Sequence, residues 1–341
     1  MRRSLFHWIL VACALGLFAA AHAATPSTAP AQAVVDALTR AHGAVVGVQV
    51  TAAEGARSAE TLGKQRSGSG VVIGADGLIL TIGYLMLEAD TIQIVTRDNR
   101  TLPASPVAYD QATGFGLVRS LLPLRGILPV PLGSHQEAKA GDAVMAATGG
   151  DDGGVALTQL VSKRSFSGYW EYHIEAALFT SPPIGNHSGA PLFNQRGELL
   201  GIGSLFVGDA KGENRRLPGN MFVPVDLLKP ILGEMQQTGS TRQSRRPWLG
   251  VTSSESSGRV QVVRVTRGGP AEAGGVQPGD VVLAVDGTNV ATLEEFYKRV
   301  WDHANPEDEI RLTVQQGADN TRMVTIKPVD RMTTMTKPSG I

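Results

Sequence analysis

Cysteine is almost missing from this chain. Its single copy among 341 residues, Cys13, falls inside an apolar leader. Without that leader the protein has no disulfide, no thiolate metal site and no cysteine nucleophile. A surplus of either charge is missing too. Lys and Arg number 31 against 31 for Asp and Glu, so no long-range field gathers phosphate backbones or acidic membranes. Nucleic acid is therefore not an expected partner. The one long apolar run ends at about Ala20, with Arg2 and Arg3 before it and Ala21-His22-Ala23 after it. That run is short for a membrane anchor and has the pattern of a signal peptide cleaved after Ala23. Leu10-Val11-Ala12-Cys13 reads alternatively as a lipoprotein signal, but the apolar run continues past Cys13. Export to a bacterial periplasm is the expectation.

Glycine, by contrast, is plentiful at 40 residues, and it punctuates many short Val/Ile/Leu runs. This predicts a mainly β protein with tight turns, among them Asp76-Gly77. Residues 24–32 are a small polar leader. "AVVDALTRAHGAVVGVQV" reads as a short helix feeding a strand. Two successive groups of about six strands follow, up to about Val225, and suggest two packed barrels over 33–238. "DLLKPILGEMQQ" (226–237) has helical apolar spacing and predicts a closing amphipathic helix. "TGSTRQSRRP" reads as a solvated basic tether, with the linker at 239–246. Residues 247–330 form a separate α+β module, in which Leu293, Phe296, Tyr297 and Val300 share one helix stripe. Residues 331–341 are a tail.

Several ordered blocks now carry a resemblance. "GSGVVIGADGLILT", "GDAVMAATGG", "TQLVS", "HSGAPL", "GELLGIGS" and "MFVPVDLLKPILGEM" are followed by "GGPAEAGGVQPGDVVLAVDG". From about Val34 to Asp330 the chain resembles the HtrA/DegP group of exported trypsin-fold serine proteases with PDZ domains. The resemblance implies a trypsin-like double β-barrel followed by an α+β PDZ domain, with no cofactor.

It also implies where a catalytic triad would lie. The nucleophile position falls on Ser188, in "HSGAPL". The histidine position, at the end of "LTIGYLM", holds Tyr84. The aspartate position, in "DQATGFGL", holds Gly114, while Asp110 reads as a turn cap. A protonated phenol is a poor general base, so two of three members are lost. The loop "GNHSG" is one residue longer than the family pattern. Asn186 and Ser188 are the candidate oxyanion donors, because Asn is the non-glycine residue that best tolerates positive φ. Neither Ser181 nor Pro182 is an acid that would hold a basic substrate side chain. His187 adjoins Ser188 but diverges on a sharp turn, and His173 lies on a strand leading to the loop. His42 and His135 read as surface residues without partners. A metal site from His135, His173 and His187 lacks any H-x-x-x-H spacing, so no metal is expected.

In the PDZ module, "WLGV" aligns with the loop that holds a peptide's terminal carboxylate. The amides of Leu249, Gly250 and Val251 are the expected donors, and Phe296 and Val300 are candidates for the pocket wall or for plain core. The implied partners are peptides or unfolded proteins, especially their C-termini, in envelope quality control. A homotrimer and an active protease partner are implied by resemblance alone. The leading expectation is a catalytically impaired peptide binder. An active serine endopeptidase using Ser188 with a rearranged base is the second reading, and a purely structural scaffold is the third.

Overall fold

The computed structural model describes residues 31–151, 153–212, 216–317 and 320–335. The leader, with the signal-peptide and Cys13 readings, lies outside them. A helix, α1 (Ala31–Gly43), leads into β1 (Val45–Ala52), and a short α2 (Ala59–Leu62) precedes β2 (Gln65–Val72). Then come β3 (Leu78–Ile82), β4 (Ala89–Val95), β5 (Thr101–Tyr109) and β6 (Phe115–Ser120). These strands close into an antiparallel barrel in the order β1-β2-β3-β6-β5-β4. Gly77 holds a φ of 79° in the turn between β2 and β3, as the Asp-Gly pair predicts.

The second barrel comprises β7 (Ala143–Ala147), β8 (Val155–Gly168), β9 (Tyr172–Ser181), β10 (Pro191–Phe193), β11 (Leu199–Val207) and β12 (Gly219–Pro224). It closes in the order β10-β11-β12-β9-β8-β7. One apolar cluster runs from the first barrel into the second, from Val48, Ile79 and Phe115 to Phe179, Phe193 and Val223. The barrels are thus packed as one body, and burial of side chains of this size, worth about 1.5–3 kcal/mol each, is the main term holding them together. A smaller cluster around Leu160, Leu192 and Phe222 fills the rest of the second barrel.

Beyond the barrels, the predicted helix over 226–237 is not continuous. A 3₁₀ turn covers Val225–Leu227, and α3 spans only Leu232–Thr238. Pro230 lies between them, and a ring that offers no N–H and clashes with the preceding turn interrupts a helix. Asp226, in the first of these turns, accepts from the His135 backbone N–H at 2.7 Å, lies 2.6 Å from His135 Nδ1, and accepts from Lys229 at 3.0 Å. His135 is therefore not the unpartnered surface residue expected.

Burial acts to raise the pKa of Asp226, but bonds from His135, Lys229 and Ser134 win and hold it well below the usual carboxylate range. A depressed native pKa gives stability that is fully present above the unfolded value, near 4, and is lost as pH falls toward the native one. Partial solvent screening keeps this to about 1–2 kcal/mol. Asp226→Asn is expected to melt earlier than wild type at pH 7, with the gap in thermal melts starting to close at about pH 4.

The PDZ module begins at β13 (Pro247–Trp248) and β14 (Val251–Ser256), followed by β15 (Arg259–Val265), α4 (Pro270–Ala273) and β16 (Val281–Val285). After β17 (Thr288–Asn289) come α5 (Leu293–Trp301), β18 (Ile310–Gln316), β19 (Asn320–Ile326) and β20 (Val329–Asp330). Helix α5 starts at a capping box: Thr292 accepts from the Glu295 N–H while Glu295 reaches back to the cap. Its stripe of Leu293, Phe296, Tyr297 and Val300 is buried in a separate core with Leu249, Val262, Leu312 and Ile326.

The expected solvated tether is instead docked. Thr241 and Ser244 are buried, and both hydroxyls donate to Asp110 Oδ1 at 2.5 Å. Arg246 lies with its guanidinium 4.2 Å from the Trp301 ring centre. The composition of this stretch is that of a linker, but its hydroxyls have a buried acceptor across the chain.

Candidate active site and peptide groove

Strand β3 is buried throughout and ends in a 3₁₀ turn, Gly83–Met86, that carries Tyr84. A buried arginine holds this turn. Arg66 Nη1 donates to the Leu87 carbonyl at 2.7 Å and approaches those of Tyr84 and Leu85 at 3.3 and 3.4 Å. Its Nη2 donates to Ser58 Oγ at 2.8 Å. Sequence reasoning missed Arg66, since its only mark is a basic residue one step before "SGSG".

Ser188 sits on a tight turn wedged against β2. The Ser69 N–H donates to the Ser188 carbonyl at 2.8 Å, and the Gly189 N–H to the Gly203 carbonyl at 2.8 Å. Gly189 has a φ of 73°, and a Cβ there would come within 2.0 Å of the Ser69 carbonyl oxygen. Only glycine fits this turn.

The Tyr84 hydroxyl lies 2.6 Å from Ser188 Oγ and 3.0 Å from the Ser204 carbonyl. A phenol has one proton to give. If it goes to the carbonyl, Ser188 donates to a neutral phenol oxygen; if it goes to Ser188, the serine accepts from the phenol and keeps its own proton. In neither arrangement does a base withdraw the serine proton. Burial pushes the Tyr84 pKa up, against the opposing pull of the Ser188 hydrogen bond, so phenolate is further out of reach.

Gly114 stands beside this turn, its carbonyl accepting from the Gly83 N–H at 2.7 Å. It has a φ of 83°, and a Cβ would lie 3.2 Å from Tyr172 Oη. That hydroxyl donates to the Thr113 carbonyl at 2.7 Å. The place next to Tyr84 is therefore lined by Tyr172, Ile82 and backbone, with no carboxylate at position 114. Asp110 is fully buried. It accepts from the Thr113 N–H at 2.8 Å and the Thr113 hydroxyl at 2.6 Å, the role of a turn cap, in addition to its bonds from the linker.

The neighbouring histidines are engaged elsewhere. His187 Nδ1 is 2.9 Å from the Gly185 carbonyl. His173 Nδ1 is 2.9 Å from Ser167 Oγ, and its Nε2 faces Glu175 at 3.5 Å and Glu294 at 3.9 Å. Those three side chains are close enough together to suggest a metal. Lys298 Nζ already lies 2.7 Å from each carboxylate, however, and supplies the balancing charge.

The oxyanion loop departs from the sequence reading in one respect. Asn186 is not among the residues with positive φ, and the left-handed position is Gly189. Among the described residues, the Asn186 and Ser188 N–H groups have no backbone acceptor.

In the PDZ module, the N–H groups of Leu249, Gly250 and Val251 do converge on a carboxylate, and that carboxylate belongs to this chain. Leu249 donates to Glu171 Oε2 at 3.0 Å, and Gly250 and Val251 donate to Oε1 at 2.8 and 3.0 Å. Burial pushes the Glu171 pKa up, while these three bonds and Arg331 pull it back down. Phe296 and Val300 are 0% and 1% exposed. Both belong to the core cluster of the module, because the apolar stripe of α5 turns inward. A groove of about 570 Å³ runs instead past Ser253, Glu255, Leu293 and Glu294 on one side and Arg164 to Ser167 of β8 on the other.

Comparison with known proteins fits this architecture. The family described as "Trypsin-like peptidase domain" matches residues 68–202, and the family described as "PDZ domain" matches residues 247–327. A probable periplasmic serine endoprotease, DegP-like, of Hahella chejuensis is 27% identical over 248 residues, covering 68% of this chain and 50% of that protein. The chain thus spans half the length of this relative. The serine endoprotease DegS of Haemophilus influenzae is 27% identical over 258 residues, 72% of each chain. The solved structure of the HtrA-type protease AlgW with tripeptide superposes with a TM-score of 0.54 at 23% identity, covering 87% of this chain and 96% of that one. At that identity the superposition bears on fold alone. With both domains matched in order, the chain is HtrA-like: a trypsin-like peptidase domain followed by a PDZ domain, similar to the DegP- and DegS-type serine endoproteases.

Proposed function

We propose that this protein is an exported, periplasmic HtrA-type pseudoprotease that binds peptides or unfolded proteins, especially their C-termini, in envelope protein quality control. The observation that carries the reading is Tyr84 Oη at 2.6 Å from Ser188 Oγ, in the place of a base. Tyr84 and Gly114 occupy the histidine and aspartate positions of the family triad. Among the described residues, no histidine nitrogen is hydrogen-bonded to Ser188. Loss of such a base removes on the order of a millionfold of turnover. The periplasmic setting rests on the relatives' description as periplasmic endoproteases and on the leader's sequence. The binding role rests on the PDZ domain and on the solution of AlgW with peptides. By the same resemblance, the protein assembles as a homotrimer and works beside an active protease.

A fluorophosphonate probe tests the central point. Mature protein is treated beside its Ser188→Ala variant, with an active family member as control. Labelling of the control and none of the wild type is expected. Labelling of the wild type that disappears in Ser188→Ala would overturn the pseudoprotease reading and favour an endopeptidase with a rearranged base.

A further inference from the structure

The loop between β8 and β9 enters the PDZ module as a bound peptide would. Besides the three amides on Glu171, the Ser253 N–H of β14 donates to the Tyr169 carbonyl at 2.8 Å, which is a strand-edge contact to a foreign backbone. Tyr297 Oη, on α5, donates to the Gly168 carbonyl at 2.7 Å. Glu171 is only 6% exposed and holds a φ of 58°, a backbone state that costs a non-glycine residue energy. Here that strain accompanies a carboxylate with three N–H donors.

We propose that Glu171 is a built-in substitute for a peptide's terminal carboxylate, so that an incoming C-terminus must displace the loop 168–171 and thereby free the PDZ module from the second barrel. This rests on the reading of the PDZ module as a C-terminus binder. The groove beside the loop also passes Ser254, Glu255 and Glu294, which keep exposed surface, so a ligand can engage there before its carboxylate competes. The partner this fits is an extended chain with a free C-terminal carboxylate, and an internal loop lacking one gains nothing over Glu171.

The test uses the full mature chain, as wild type, Glu171→Gln and Glu171→Ala. The Gln variant keeps the size and one carbonyl acceptor, and thermal melts report that each variant is folded. Two quantities are read: hydrogen exchange at the Leu249, Gly250 and Val251 amides, and binding of a fluorescent decapeptide with a hydrophobic free C-terminus beside its C-terminal amide. The expected result is faster exchange in both variants and tighter binding of the free-acid peptide, by about tenfold or more in Glu171→Ala and less in Glu171→Gln. Exchange unchanged by Glu171→Ala would overturn the occupancy itself. Faster exchange with unchanged free-acid affinity would overturn the competition while leaving the PDZ reading intact. Faster exchange with no preference for acid over amide in any form would sink the PDZ reading, and the competition with it.

Discussion

Asp110→Ala lowers the stability of the peptidase domain by roughly 3–5 kcal/mol, the sum of several buried donors that each cost about 1–3 kcal/mol when left without an acceptor. The argument is one of counting donors. The carboxylate takes one backbone N–H and three hydroxyls, from Thr113, Thr241 and Ser244. Truncation leaves these donors facing apolar space, and Ser244 also accepts from the Gln111 N–H at 2.8 Å, so the disturbance spreads through the knot. For a domain of this size the melting temperature is expected to fall by roughly 6–20 °C. Asp110→Asn retains one acceptor oxygen but turns an NH₂ toward other donors, and should fall between the two. Calorimetry of all three proteins checks the order, and an Asp110→Ala melt within a degree or two of wild type would refute the account.

Tyr84→His is expected to raise the rate of Ser188 labelling by a fluorophosphonate by about a hundredfold. General base catalysis contributes about 10²–10⁴-fold, and an imidazole with no carboxylate behind it belongs at the low end. Adding Gly114→Asp supplies that carboxylate against resistance. The backbone there is left-handed at φ 83°, and a Cβ would press on Tyr172 Oη at 3.2 Å. Such strain costs about 1–3 kcal/mol, so the double variant is expected to melt earlier than Tyr84→His even where it labels faster. Equal melting of the two would contradict the strain argument, and no gain in labelling for Tyr84→His would mean that the oxyanion donors are also misplaced.

Much of the fold was legible because it is local. Alternating apolar runs and Asp-Gly turns report strands directly, and the stripe on α5 reports a buried face. Pro230 was equally visible, yet the apolar spacing on either side of it hid the break. What could not be read is what depends on distant partners. Arg242, Arg245 and Arg246 made the linker look solvated, whereas its course is set by two hydroxyls that meet an acid 131 and 134 residues away. Glu171 sits in "SGYWEYH", where nothing in composition or spacing distinguishes it from any exposed acid in a hairpin turn. Phe296 and Val300 satisfy a helix-face criterion shared by pocket and core. At Ser188 the residue identities were enough to raise the proposal of a lost base. The hydrogen bond from Tyr84 and the ordinary φ of Asn186 needed coordinates.

The Asp110 knot also ties completion of the first barrel to a late part of the chain. Asp110 and Thr241 stand 131 residues apart in sequence, so the strands of the first barrel can gather before that contact closes. Until it closes, the carboxylate has Thr113 to bind and is otherwise left to water. Its remaining hydroxyl donors come from residues that follow the whole second barrel, so completion of the first barrel waits on docking of the segment that leads into the PDZ module.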